Sequence, residues 1–189
     1  FLSDAHGRNM IAHGQLALDR DGKFLAMRID WIVDLGAYLS PGAQGHVRNT
    51  TNCMTGVYLI PALYGTYRIP LTNTTPLASY RGAGRPDVAY AVESLVNQAA
   101  AEIGMDPAEL RRRNFIPPSA FPYSSPTASV YGGVYERADL PGMLEKALKL
   151  ADWKGFAGRR AKSKAAGKLR GIGISTVIEN TGLGNAPVD

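Results

Sequence analysis

The sequence is poor in the residues that build disulfide and metal scaffolds, because Cys53 is its only cysteine. One cysteine cannot form an intrachain disulfide, and zinc or iron–sulfur signatures need at least two cysteines at close spacing. The three histidines, His6, His13 and His46, also lack metal-ligand spacing. These absences predict no metal held directly by this chain's side chains, and they fit a reducing compartment such as the cytoplasm.

The chain also lacks an apolar run of about 18 residues, so no transmembrane helix is predicted. No signal peptide is visible. Aromatic residues make up only 8% of the sequence, and none lies in the basic stretch 158–168, which weighs against nucleic-acid binding. The net charge of +5 is partly local, in 111–113 and 159–170, and we interpret these charges as a solvated surface.

The remaining composition is typical of a globular chain with a hydrophobic core, with 45% hydrophobic and 20% charged residues in a length of 189. This length allows one large domain or two small ones. The chain begins at Phe1 rather than Met, in the middle of a pattern. We therefore expect a fragment of a longer polypeptide.

Hydrophobic periodicity predicts an α+β fold, in which a β-hairpin and mixed strands pack with several helices. Alternating residues predict the hairpin over 9–18 and 23–35, and a further strand over 62–72. Residues 46–58 have helical spacing but are rich in threonine, so their structure is ambiguous. Residues 1–80 are expected to be mainly β, residues 86–166 mainly helical, and residues 169–180 a strand that leads to the rest of the polypeptide.

An apolar stripe predicts the clearest helix over 86–103, with Gly104 as its C-terminal cap. Asp106 is the expected N-cap of the next helix, over 107–114, and Glu109 is expected to reach back to the capping residue. Two more helices are predicted over 140–152, capped by Asp139, and over 156–166. The irregular loop 116–135 is expected to cover a site or an interface, and 182–185 form another loop.

The most informative motif reads Tyr-Arg-Gly-Ala-Gly-Arg-Pro and spans residues 80–86. Gly82 and Gly84 permit positive φ and a close approach of the backbone to a ligand. Pro86 suits the first position of a helix. Two arginines place permanent positive charge beside the free N–H groups of that helix start. The motif predicts a site for a flat, anionic ligand that is held partly by backbone.

Two nucleotide-binding alternatives do not match the motif. Asp87 occupies the place of the third glycine of a dinucleotide fingerprint, and the lysine of a phosphate loop is absent. A glycine turn between strand and helix can also be purely structural, but the flanking Arg81 and Arg85 favour anion binding. Glu179, at the end of the last predicted strand, is a second candidate site residue, although an exposed carboxylate is the favoured interpretation.

Segment 79–87 resembles the molybdenum hydroxylases, the large subunits of the superfamily of xanthine dehydrogenase, aldehyde oxidase and aerobic carbon monoxide dehydrogenase. The resemblance extends over nearly the whole chain. The further segments that carry it, in order, are 1–8, 35–38, 56–61, 72–74, 106–115 and 169–173.

The resemblance implies a molybdopterin-binding region within a larger domain. In this family a pyranopterin dithiolene, usually the cytosine dinucleotide form in bacteria, holds a molybdenum ion. The metal activates a water-derived oxygen for transfer to substrates such as aldehydes, purines or N-heterocycles. Electrons leave through iron–sulfur and FAD subunits or domains. By resemblance, Arg81, Gly82 and Ala83 lie beside the molybdenum, and Gly84 and Arg85 support them.

Two departures from the family pattern restrict these expectations. Gly82 and Ala83 stand where the copper-containing carbon monoxide oxidisers carry a cysteine, so we expect no carbon monoxide oxidation. The small Ala83 also leaves space where a bulkier residue would sandwich an aromatic substrate, which hints at a small or differently placed substrate. The family's glutamate base lies downstream of residue 189, so the catalytic residue is unknown. We expect neither turnover nor bound cofactor for these 189 residues alone.

Two other functions stay open on the sequence. A non-catalytic domain could bind partner chains only. A simple anion-binding module would bind phosphate or nucleotides without the rest of a hydroxylase.

Overall fold

Strands and helices both contribute to the fold of residues 4–127 and 134–179, which are the residues described by the computed structural model. The predicted α+β class is confirmed. The elements in chain order are β1 (Met10–Leu18), β2 (Phe24–Val33), α1 (Gln44–Asn52), β3 (Ala62–Arg68), α2 (Arg85–Glu102), α3 (Pro107–Asn114), β4 (Tyr123–Ser124), β5 (Val134–Tyr135), α4 (Leu140–Leu150) and α5 (Phe156–Ala165).

The main sheet has the order β1–β2–β3, with β1 antiparallel and β3 parallel to β2. The predicted hairpin is therefore confirmed. Phe24 breaks the strict alternation of β2, because it is buried together with Met27 and Ile29, whereas Arg28 is exposed. The reason is a register shift between Ala17 and Leu18, which moves the start of β2 onto the other face.

Helix α2 packs across β1, because Gly14 provides no side chain there. A Cβ atom built on Gly14 would lie only 2.6 Å from Leu95 Cδ1 of α2. The hydrophobic core lies between this helix and the inner face of β2, where Ile29, Trp31, Val92 and Val96 are buried.

The ambiguous region 46–58 begins as a helix and continues as turns, since α1 ends at Asn52. Its threonines fit the helix because their hydroxyl groups donate back to helical carbonyls. Thr50 Oγ1 lies 2.9 Å from His46 O, and Thr51 Oγ1 lies 2.8 Å from Val47 O.

The predicted caps around α3 are confirmed, with one exception. Gly104 has φ +65°, and the Asp106 carboxylate accepts hydrogen bonds from the N–H groups of Ala108 (2.8 Å) and Glu109 (3.1 Å). The Glu109 side chain does not reach back to the cap. It forms ion pairs with arginines one turn further along α3 instead, because these offer a full opposite charge.

Helices α4 and α5 agree with the predictions for 140–152 and 156–166. Asp139 caps α4 by accepting a hydrogen bond of 2.9 Å from the Gly142 N–H. The loop predicted over 116–135 contains the short strands β4 and β5, which pair with each other. Residues 128–133 of that loop, and the loop predicted over 182–185, lie outside the described residues.

The strand predicted over 169–180 is wrong for residues 169–179, which join no sheet in the described part of the chain. Two of its backbone groups bond to side chains instead, since the Thr176 N–H donates to Glu93 and the Ile174 carbonyl accepts from Arg111. Alternate residues still turn inward, since Ile174 and Ile178 pack against the core. The division of the chain near residues 80–86 stays a prediction.

Asp34 ties together two loops that precede the glycine motif. Its carboxylate accepts hydrogen bonds from Thr72 Oγ1 (2.7 Å), the Gly36 N–H (2.7 Å), Thr74 Oγ1 (3.1 Å) and Asn9 Nδ2 (2.7 Å). The hydrogen bond from Thr72, with the other three, outweighs the effect of burial and holds the pKa of Asp34 below its ordinary value of 3.8.

Asp34 should therefore make the fold sensitive to acid. Since its folded-state pKa is depressed, it stabilises the fold above the unfolded pKa near 3.8, and this contribution is lost as pH falls through the folded-state value. In thermal unfolding between about pH 6 and 3, Asp34→Asn should flatten the fall of Tm below about pH 4.5. Asp21→Asn is the control, since that carboxylate has no side-chain partner among the described residues. Equal slopes for parent and Asp34→Asn would contradict the prediction.

Candidate functional site

Residues 80–86, called the motif loop from here on, form a left-handed turn. Gly82, Ala83 and Gly84 have φ values of +91°, +41° and +94° in succession. Hydrogen bonds from the Ala83 N–H to Tyr80 O (2.6 Å) and from the Arg85 N–H to Gly82 O (3.0 Å) close the turn. The positive φ predicted for the two glycines is confirmed, and Ala83 shares it although alanine disfavours this conformation.

The motif loop packs against the start of α1. A Cβ atom built on Gly84 would lie 2.3 Å from His46 O, so only glycine fits this contact. Ser79 Oγ donates a hydrogen bond of 2.7 Å to Gly42 O, and a Cβ atom on Gly45 would lie 2.8 Å from the same Oγ atom. The first turns of α1 and α2 thus meet at the motif loop.

This junction opens into a cleft with a volume of about 1070 Å³. The cleft brings together Arg81, Gly82, Ala83 and Arg85 of the predicted site, while Gly84 lies buried beneath it. The remaining lining comes mainly from residues 39–45, 48–49 and 79–80, and from Glu179.

Arg81 is the exposed cation at the rim of the cleft. Its guanidinium group makes no hydrogen bond or ion pair with the rest of the described chain. Its backbone carbonyl accepts a hydrogen bond of 2.8 Å from Arg8 Nη2, and the Arg8 guanidinium group lies 4.9 Å from the centre of the Tyr80 ring. Arg8 therefore fixes the backbone on which the Arg81 side chain stands.

Arg85, in contrast, is mostly buried, although it also lines the cleft. Its side chain is 12% exposed, and its Nε atom lies 3.1 Å from Glu179 Oε1 in an ion pair. Glu179 is exposed, as the favoured interpretation expected, and its carboxylate also lines the cleft and pairs with the motif loop. The lone Cys53 is buried, and burial raises the pKa of its thiol.

His46 lies directly behind the motif loop and is fully buried. Neither of its ring nitrogens has a hydrogen-bond partner within residues 4–127 and 134–179. Burial lowers the pKa of the imidazole, against the opposing effect of the Asp87 carboxylate, and so keeps the ring neutral. No group of histidine, cysteine and acidic side chains in the described chain could hold a metal ion.

Arg111 is the residue whose predicted surface position differs most clearly from the structure. It was predicted as part of a solvated charge run, but its side chain is 0% exposed and forms an ion pair of 2.7 Å with the Glu93 carboxylate. Its neighbours Arg112 and Arg113 do lie on the surface. Helical periodicity could have located it, because Arg111 shares the buried face of α3 with Ala108 and Asn114.

Glu93 is the centre of a buried hydrogen-bond network, the Glu93 network, which also holds residues 174–176. Tyr58 Oη donates to Glu93 Oε1 at 2.5 Å, and the Thr176 N–H donates to Glu93 Oε2 at 2.8 Å. Arg111 Nη2 donates to Ile174 O at 3.2 Å. Burial and the adjacent Glu93 carboxylate raise the pKa of Tyr58 well above its ordinary value. The network is structural and anchors the segment that carries Glu179.

None of the described helices is both long enough and apolar enough to cross a bilayer.

Comparisons with known proteins match the sequence of this chain to a family model. Residues 1–115 match the model described as the molybdopterin cofactor-binding domain. The chain is 31% identical over 184 residues to the nicotine 6-hydroxylase large subunit of Paenarthrobacter nicotinovorans, which covers 96% of this chain and 22% of that relative. It is 30% identical to the carbon monoxide dehydrogenase large chain of Hydrogenophaga pseudoflava, over 95% of this chain and 23% of that one.

Among solved structures, the crystal structure of quinoline 2-oxidoreductase from Pseudomonas putida 86 superposes with a TM-score of 0.79 at 29% identity. The match covers 88% of this chain and 21% of that chain. The chain thus spans about a fifth of the length of the relatives that it matches.

Proposed function

Since the chain belongs to the molybdopterin cofactor-binding domain family, we propose that the motif loop is one wall of the molybdenum cofactor site of a hydroxylase large subunit. The observation that carries the proposal is the left-handed turn at the cleft, which presents backbone and the exposed Arg81 rather than apolar side chains. Anionic ligands bind at such turns, because N–H groups and a guanidinium group can all donate to them.

The residues present fit a pterin-bound molybdenum. The N–H group of Gly82, which lines the cleft, donates to no acceptor in the described part of the chain, so it is available to an anionic ligand. A Cβ atom on Gly82 would lie 2.7 Å from the ring of Pro86. Glycine therefore fits best here, and the wall of the cleft consists of backbone at this position.

The chain's own residues would bind and orient in this site, and the bound cofactor would supply the oxidation chemistry. Arg81 would hold an anionic group by its permanent charge. The Arg85 charge is already paired with Glu179, so Arg85 would support the turn rather than bind the ligand. Ala83 would leave most of the cleft open to a ligand, because its side chain is only a methyl group.

The activity proposed for the whole protein is oxidation of aldehydes, purines or N-heterocycles. Nicotine and quinoline, after which two of the relatives are named, are N-heterocycles, and this favours the third class. We propose no carbon monoxide oxidation, since Cys53 does not line the cleft. The cytosine dinucleotide form of the cofactor, iron–sulfur and FAD partners, and a cytoplasmic location complete the proposal.

Arg81→Gln in the full-length protein should lower the retained molybdenum and pterin about tenfold, the effect of losing one charge-assisted contact. Metal analysis and pterin fluorescence of the purified protein measure this. Arg160→Gln, on the exposed face of α5, is the matched control and should retain both.

Full-length protein that carries neither molybdenum nor pterin would contradict the proposed function. Binding of phosphate or nucleotides by that protein would instead favour the simple anion-binding module.

A further inference from the structure

The left-handed conformation of the motif loop depends on contacts with residues outside the loop. Three successive residues have positive φ, and one of them is Ala83, whose Cβ atom disfavours this conformation. Only two backbone hydrogen bonds close the turn. Strained turns of this kind persist when surrounding contacts hold them.

The Arg85 side chain links the turn to the surrounding structure. It follows Gly84 directly, and its Nη1 atom lies 3.5 Å from Gly82 O, back across the turn. Its guanidinium group is largely buried, and a buried guanidinium group without a counter-charge is strongly destabilising. The conformation of the loop therefore depends on what neutralises Arg85.

Glu179 provides that neutralisation from a distant part of the chain. Its Oε1 atom is 3.1 Å from Arg85 Nε, and its Oε2 atom lies 3.9 Å from the position of a Cβ atom built on Gly82. The carboxylate thus approaches both the arginine and the backbone of the turn.

The segment that delivers Glu179 is fixed in place only three residues earlier. The Thr176 N–H and Oγ1 both contact the buried Glu93 carboxylate, at 2.8 and 3.1 Å, and Thr176 Oγ1 lies 2.7 Å from Tyr58 Oη. Because this anchor is buried, the contacts of Thr176 in the interior of the protein determine where the following Glu179 lies relative to the cleft.

We infer that Glu179 is a positioning residue, which holds the motif loop in its left-handed conformation through the ion pair with Arg85. Its second effect is electrostatic. By neutralising Arg85, it leaves Arg81 as the cation of the motif loop that faces a ligand. The inference about loop conformation stands on the contacts alone, and its relevance to cofactor binding rests on the proposed function.

Hydrogen–deuterium exchange on the full-length protein tests the inference. Glu179→Gln should raise the exchange rates of the Ala83, Arg85 and Val88 amides about tenfold, because each of these N–H groups bonds within the turn or to Gly84. Glu145→Gln is the matched control. Glu145 is 57% exposed against 51% for Glu179 and also pairs with an arginine, but its partner Arg112 lies on α3.

Unchanged exchange in Glu179→Gln, or equal changes in Glu145→Gln, would overturn the inference. A charge reversal adds a second test, since Arg85→Glu combined with Glu179→Arg should recover part of the protection lost in Arg85→Glu alone. No recovery would exclude the ion pair as the cause. Molybdenum and pterin content, measured on the same samples, separates the two proposals: faster exchange in a protein without cofactor would support the positioning role and contradict the proposed function.

Discussion

Arg111→Met should lower the free energy of unfolding by about 3–5 kcal/mol, because it leaves the buried Glu93 carboxylate without its counter-charge. The side chain of Arg111 is fully buried, and besides Glu93 it donates hydrogen bonds to Pro107 O (2.9 Å) and Asn97 Oδ1 (2.9 Å). Methionine fills a similar volume but restores none of these bonds. Urea-induced unfolding followed by circular dichroism measures the loss.

Two further variants show whether the buried charge causes this effect. Arg112→Met removes only exposed ion pairs and should cost at most about 1 kcal/mol. Glu93→Leu combined with Arg111→Met removes both charges and should be more stable than Arg111→Met alone. A loss for Arg111→Met no larger than that for Arg112→Met would show that water or another group compensates Glu93.

Gly84→Ala should destabilise the protein and empty the proposed cofactor site together. The new Cβ atom would lie 2.3 Å from His46 O, a backbone atom of α1 that cannot rotate away, at a residue with φ +94°. The left-handed conformation alone costs about 1–2 kcal/mol, and separating the motif loop from α1 adds to it. We expect a lower Tm and loss of most bound molybdenum and pterin from the full-length protein.

Gly104→Ala is the control for this substitution. Gly104 also has positive φ, at +65°, but no atom lies within 4 Å of its built Cβ position. It should therefore show only the conformational cost of about 1 kcal/mol and keep its cofactor. Equal effects of the two substitutions on cofactor content would contradict a special role for the contact between Gly84 and His46.

Local signals made much of this fold predictable. The β-hairpin follows from alternation and a turn, the cap at Asp106 follows from its position before Pro107, and the positive φ of Gly82 and Gly84 follows from glycine itself. In each case the residues that determine the structure are neighbours in sequence.

The errors involve partners that are distant in sequence. Arg111 is buried against Glu93, which lies on another helix. Within residues 169–179, the Thr176 N–H and the Ile174 carbonyl bond to side chains of α2 and α3 rather than to a neighbouring strand. The pairing of Glu179 with Arg85 has the same origin. Periodicity can show that Arg111 faces the interior, but neither composition nor periodicity shows which distant residue a charged side chain pairs with.

The Glu93 network also bears on how the chain folds while the ribosome makes it. Glu93 and Thr176 are 83 residues apart, and at about 5–20 residues per second the second follows the first by roughly 4–17 s. During that interval Tyr58 and Arg111 are already part of the chain and available to the Glu93 carboxylate, but the Thr176 amide is not. The shell of Glu93 therefore cannot be complete before residue 176 has been made, and the motif loop cannot receive Glu179 until three residues later.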